Sequence, residues 1–225
     1  MKGKEIMKPE ELAKYIDQTI LKPQATVNDV LSVCNEAKKY NFATVFVNSY
    51  FVPFVSQELE GTSIGVGTVA GFPLGASSTA VKCFEAANAI QNGASEIDMV
   101  INLGVFKAGD IGEARRDIAA VVETARSAGK EAGLERVIVK VIIETCYLTD
   151  FEKKKAAKVV KEAEADFVKT STSFGPEGAK IEDIVLLKKV VGDSIGIKAS
   201  GGVKTYKQAL AMIEAGASRI GTSSG

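Results

Sequence analysis

Two lysines and one aspartate stand out as residues that could do chemistry together: Lys169 in DFVKTST, Lys198 in GIKASG and Asp98 in EIDMVIN. An amine attacks a carbonyl only when neutral, and a free lysine, with a pKa of ~10.4, is mostly protonated at neutral pH. A second ammonium within a few ångströms, together with partial desolvation, disfavours that charge and can bring the value to about 7–8. Lys169 and Lys198 therefore form a Schiff-base device in which one attacks and the other depresses its pKa. Asp98 supplies the carboxylate that moves protons. Neither a metal nor a cofactor is needed for such a reaction.

What else the chain contains narrows the field. It has no histidine, so no Ser-His-Asp triad, Cys-His dyad or histidine-ligated metal can be assembled from it. Its cysteines, Cys34, Cys83 and Cys146, lie far apart and form no C-x-x-C pair. Thiolate zinc sites and a disulfide framework are not expected, and unpaired thiols fit a reducing cytosol. The 28 basic and 28 acidic residues cancel, which argues against a chain held to nucleic acid or an anionic membrane by bulk charge. The N-terminal MKGKEIMKPEEL has no apolar core of a signal peptide, and no apolar run approaches ~18 residues, so no membrane span is expected.

The elements that must position these residues alternate. Short β-branched runs, expected as strands, occur at 16–21, 43–48, 63–72, 96–102, 137–144, 166–172, 196–201 and 219–224. Helical periodicity occurs between them, at 26–39, 77–92, 110–129, 149–164, 181–191 and 205–215, with a weaker case at 50–60. Thr26, Ser77, Asp110, Thr149 and Thr205 are N-cap types at the starts of these helices. The pattern is (β/α) throughout 225 residues, without a linker or low-complexity tract. It is expected as one domain over 1–225, a (β/α)8 TIM barrel, with a doubly wound sheet as the structural rival. No eighth helix follows the eighth strand before Gly225, so the expectation is either that the chain continues past Gly225 or that the N-terminal segment at about 8–15 covers the seam.

Strand parity then orients the charges. Glu96 and Asp98, Lys140 and Glu144, Lys169, and Lys198 fall on the faces opposite the apolar, helix-facing residues, so four adjacent strands each direct charge into one lumen. Lysines almost never enter a core unpaired. Taken singly, each charge could serve a structural ion-pair network such as Lys140–Glu96 or Lys198–Asp98. Taken together near strand C-termini, where barrel enzymes react, Lys169, Lys198 and Asp98 favour catalysis. Glycines at Ser200-Gly201-Gly202 and the stretch Thr222-Ser223-Ser224-Gly225 end strands seven and eight, the usual phosphate cradle of barrels. Thr172-Ser173-Phe174-Gly175 could close the same rim.

IDQTILKPQAT, VAGFPLGA, EIDMVIN, VKVIIETCYL, VKTSTSFG, KASGGV and RIGTSSG resemble the deoxyribose-phosphate aldolases over nearly the whole chain. The resemblance implies a cytoplasmic, cofactor-independent class I aldolase of deoxyribose phosphate catabolism, a homodimer or homotetramer. Its reaction would be reversible cleavage of 2-deoxy-D-ribose 5-phosphate to acetaldehyde and D-glyceraldehyde 3-phosphate. It implies Lys169 as the Schiff-base lysine, Lys198 and Asp98 as proton-transfer partners, and Asp17 and Thr172 as residues that order the site. Gly201, Gly202, Ser223 and Ser224 would bind phosphate. The chain departs from the family pattern in four places. Gln18 stands in the first strand beside Asp17, where parity turns it away from the site. Phe46 stands where a cysteine is common, Ser173 where a glycine usually follows KTST, and the residues to Gly225 stop short of the tail on which some members carry a tyrosine. Two other readings remain open: a phosphosugar isomerase or epimerase with Asp98 as base, and a non-catalytic sugar-phosphate-binding barrel.

Overall fold

Eight parallel strands close on themselves in chain order in the computed structural model, which describes residues 7–225. They are β1 (Ile16–Ile20), β2 (Thr44–Val47), β3 (Gly65–Ala70), β4 (Glu96–Val100), β5 (Ile138–Ile142), β6 (Phe167–Lys169), β7 (Gly196–Ser200) and β8 (Arg219–Thr222). β8 pairs with β1, Ile16 opposite Ile220, so the sheet is a barrel and not the open doubly wound alternative. The expected N-terminal stretch without an apolar leader falls partly on residues 1–6, outside the described residues.

Helices return the chain between strands: α2 (Val27–Tyr40), α3 (Val52–Glu58), α4 (Thr79–Gln91), α5 (Leu103–Lys107), α6 (Ile111–Glu131), α7 (Asp150–Glu162), α8 (Ile181–Val191) and α9 (Tyr206–Ala215), preceded by α1 (Pro9–Ala13). Their starts are chemical. The hydroxyls of Thr26, Thr149 and Thr205 accept the backbone N–H of Asp29, Glu152 and Gln208, whose side chains reach back to the cap. Each such box satisfies two of the otherwise orphaned N–H groups. Ser77 is not the cap of α4. The helix begins one residue later, after Ser78, and Thr79 turns its hydroxyl to Asp117 at 2.8 Å.

The other departures have similar causes. The fourth strand stops at Val100, because Asn102 accepts the Val105 N–H at 3.2 Å and caps α5, a helix the periodicity did not signal. The sixth strand ends at Lys169; beyond it the Thr170 N–H still reaches the Lys198 carbonyl at 3.1 Å, and its Oγ1 donates to the Ser200 carbonyl at 3.1 Å.

The apolar core lies between sheet and helices, formed by Val45, Val47, Ile97, Met99, Val139, Val141, Val168, Ile197 and Ile220 against Val30, Ile90, Ile118, Val160 and Leu187. Burying such side chains contributes about 1.5–3 kcal/mol each. Inside the barrel the ring of Phe46 crosses toward β3, and a Cβ on Gly67 would sit 2.4 Å from it. Only glycine leaves that space. α1 lies against α9, where the Tyr206 hydroxyl donates to the Met7 carbonyl. A groove of about 580 Å³ remains beside it, floored by Phe42 and Ile220. Among the described residues, no helix is long and apolar enough to cross a membrane.

Candidate active site

Parity places the charges where it predicted. Asp17, Glu96, Asp98, Lys140, Lys169 and Lys198 all project into the lumen and are buried, Lys169 at 3% exposure. Asp98 is the hub. Its Oδ2 accepts from Lys169 Nζ at 2.7 Å and Lys198 Nζ at 2.6 Å, and its Oδ1 accepts from Lys140 Nζ at 3.1 Å. Sharing one oxygen holds the Lys169 and Lys198 nitrogens within about 5 Å of each other, the range at which like charges shift a pKa.

The network contains the structural pairs as well as the catalytic candidates. Lys140 bonds Glu96 and lies 3.8 Å from Asp17. Asp17 Oδ2 is 2.6 Å from Lys198, so Lys198 meets two carboxylates, Asp17 and Asp98. Phe46, at the position where a cysteine is common, puts its ring face 3.7 Å from the Lys198 nitrogen and 4.4 Å from that of Lys140. A ring face holds an ammonium without neutralising it. Gln18 turns outward as expected, donating to Glu36 at 2.7 Å.

Ionisation follows from this packing. Burial pushes the Lys169 amine down to about 8, the Lys198 and Lys140 charges add to that, and Asp98 opposes it. Burial alone would raise Asp98, yet Lys140, Lys169 and Lys198 outweigh it and hold the carboxyl far below its usual range. Asp17 is likewise held down by Lys198, Lys140 and Arg219 against its burial. Lys140 moves the other way: burial would lower it, but Asp98, Glu96 and Asp17 raise it above the ordinary lysine range. Of Lys169 and Lys140, Lys169 is the one poised to lose its proton.

A mouth of about 470 Å³ opens above this cluster at the strand C-termini, and Lys169 forms part of its lining. Around it stand Thr172, Ser173, Gly201, Gly202 and Ser223. Gly201 and Gly202 hold φ of 88° and 81°, conformations that leave their backbone accessible at the rim. Ser173, where glycine was the expected residue, holds φ 71°. Thr172 is fixed from behind: its N–H reaches Glu144 at 3.2 Å and its hydroxyl bonds the same carboxylate. Ser224 is placed differently from Ser223. It lines the seam groove beside Phe42 and gives its N–H to Thr222 Oγ1 at 3.1 Å.

Three features of the site were not read from the sequence. Arg219 opens β8 and donates to Asp17 at 2.6 Å, Thr44 at 2.8 Å and Glu96 at 3.2 Å. Its parity with the inward Gly221 was the available signal. Glu144 was placed inside the barrel, but its grip on Thr172 requires a backbone φ of 48° that no pattern announces. Lys22 and Lys204 line the mouth from the loops after β1 and β7.

Known proteins share much of this sequence. The chain is 55% identical over 96% of its length to a protein of Carboxydothermus hydrogenoformans named deoxyribose-phosphate aldolase, covering 92% of that relative. It is 54% identical over 96% of its length to one of the same name from Thermococcus gammatolerans, covering 93% of it. The deoxyribose phosphate aldolase structure from Aeropyrum pernix, described as tetrameric, superimposes with a TM-score of 0.87 at 32% identity, covering 96% of this chain and 88% of its own. A family model described as "DeoC/LacD family aldolase" matches residues 11–225. With an amine, a carboxylate and a second amine converging in the lumen of a closed parallel barrel, and a family model that spans nearly all of it, the chain belongs to the DeoC/LacD family of aldolases.

Proposed function

We propose that this chain is a class I aldolase that reversibly cleaves 2-deoxy-D-ribose 5-phosphate to acetaldehyde and D-glyceraldehyde 3-phosphate through an imine on Lys169. The observation that carries this reading is the Lys169 amine in the lining of the mouth, bonded to Asp98 2.7 Å away and sharing that carboxylate oxygen with Lys198 at 2.6 Å. The neutral Nζ adds to the substrate C1 carbonyl, and loss of water gives the imine. The C3 hydroxyl then gives up its proton as the C2–C3 bond breaks, and the bonding pair moves into the protonated imine to leave an enamine. Protonation at C2 and hydrolysis release acetaldehyde and restore the amine.

Lys198 and Asp98 carry the protons. Asp98 alone, held ionised by three ammonium groups, is a weak base, so it works with Lys198 as a donor–acceptor pair that shares a proton path. Asp17 and Thr172 order the site, Asp17 through Lys198 and Thr172 at the rim. Gly201, Gly202 and Ser223 meet the phosphate. Ser224 joins them only if the end of β8 turns toward the mouth. The whole of 1–225 acts as one barrel unit, in the cytoplasm, as a homodimer or homotetramer.

Borohydride reduction with substrate tests the reaction. A mass increase mapped to the Lys169 peptide is expected. Mass on Lys140 or Lys198, or no adduct, would sink the assignment and favour an isomerase or a binding protein.

A further inference from the structure

Among the described residues, the strands of the closed lumen carry four cations and three anions, while Glu144, past the end of β5, is engaged by Thr172 at the mouth. Lys140, Lys169, Lys198 and Arg219 face Asp17, Glu96 and Asp98, contributed by β1, β4, β5, β6, β7 and β8. β2 and β3 add no charge there, presenting Thr44, Phe46, Gly65 and Gly67. With every group ionised the cluster carries one positive charge in excess. A desolvated, low-dielectric interior penalises such an excess, and the loss of one proton removes it.

Geometry decides which group yields. Arginine does not deprotonate in proteins. Lys140 has Glu96, Asp98 at 3.1 Å and Asp17 at 3.8 Å; Lys198 has two carboxylates, each at 2.6 Å. Lys169 has Asp98 alone, and shares that oxygen with Lys198. Lys169 is the least compensated cation. Arg219 and Glu96 are absent from the mouth lining, and Arg219 opens instead onto the cleft at the opposite end of the barrel, where Arg136 is paired with Asp166. Glu144 at the mouth is engaged by Thr172, while Lys22 and Lys204 stand at the solvent edge, where water screens them.

We propose that Arg219 and Glu96, remote from the substrate, are positioning residues that set how readily Lys169 gives up its proton, through the net charge of the closed lumen. Arg219 supplies the excess cation that Lys169 relieves, and Glu96 limits that excess. The inference rests on imine formation at Lys169, and it makes a claim of opposite signs that a packing role does not. Removing the Arg219 charge leaves three cations against three anions, so Lys169 keeps its proton to higher pH. Removing the Glu96 charge enlarges the excess, so Lys169 loses its proton at lower pH. A unit charge on the order of 10 Å away, at an effective dielectric of ~20, moves such a midpoint by about one pH unit.

The test is the pH midpoint of borohydride-trapped imine with acetaldehyde as probe, read by mass on the Lys169 peptide. Arg219→Gln is expected to raise the midpoint by about one unit and Glu96→Gln to lower it by a similar amount. Arg219→Lys, which keeps the charge, should stay near the unaltered protein. The double variant Arg219→Gln/Glu96→Gln should return toward it, and serves where either single variant folds poorly. Midpoints that do not move, that move in the same direction, or that fail to cancel in the double variant overturn the inference. An unaltered protein that forms no adduct on Lys169 overturns instead the reading on which it rests.

Discussion

Removing the Lys198 charge should make Lys169 a poor nucleophile at neutral pH, by an amount the geometry fixes. The two nitrogens share Asp98 Oδ2, at 2.7 and 2.6 Å. At a separation of about 5 Å and an effective dielectric of ~20, their repulsion is about 3 kcal/mol, or roughly two pKa units. Lys198→Leu removes that repulsion and leaves Asp98 with one fewer cation to satisfy, so both changes favour a protonated Lys169. From about 8, the amine returns toward the ordinary lysine range. Its neutral fraction at pH 7 then falls by about 100-fold if the full two units are recovered. The assay is the rate of borohydride-trapped imine with acetaldehyde from pH 6 to 11, and the midpoint should move upward by one to two units. The reasoning is refuted by a midpoint that stays in place while the rate falls at every pH. That result would make Lys198 a proton relay alone.

Asp98→Asn removes the charge that raises the Lys169 pKa, so imine should form at lower pH, while cleavage of C2–C3 slows by roughly 10²-fold or more; single-turnover trapping beside steady-state turnover separates the two. Lys169→Met should abolish activity yet stabilise the fold. The folded-state value of about 8 lies below the ordinary one, so burying the ammonium costs stability on the order of 3 kcal/mol below about pH 8. That cost fades as pH rises through the ordinary lysine value, and denaturant midpoints for the two proteins should converge there. Ser173→Gly relieves a left-handed serine, φ 71°, whose strain of about 1 kcal/mol is largely offset by the greater freedom of unfolded glycine. Stability should change little, and kcat/KM on phosphorylated deoxyribose should rise while that on free deoxyribose does not; equal responses would show that the rim does not read phosphate.

Composition and pattern alone determined a great deal here. Alternating β-branched and helical periods located all eight strands, because side-chain burial repeats every two residues in a strand and every 3.6 in a helix. The same parity turned Asp98, Lys140, Lys169 and Lys198 inward, and the absence of histidine left amine chemistry as the natural use for them. What parity lacks is distance. It assigns a face, and it is silent on which inward groups meet across the lumen, since that depends on the register and closure of strands far apart in the chain. Only the closed barrel brings Asp98 onto both lysines at once, across separations of 71 and 100 residues. Only the pairing of β8 with β1 carries Arg219 to Asp17. Loop conformation was equally out of reach: Glu144 at φ 48° holds Thr172, and Ser173 at φ 71° occupies a place suited to glycine. Which residues face inward is a local property that side-chain chemistry imposes along each strand. Which of them share a proton is a property of closure, because a lysine's proton affinity is set by the charges gathered around it, and the lumen draws those charges from six different strands.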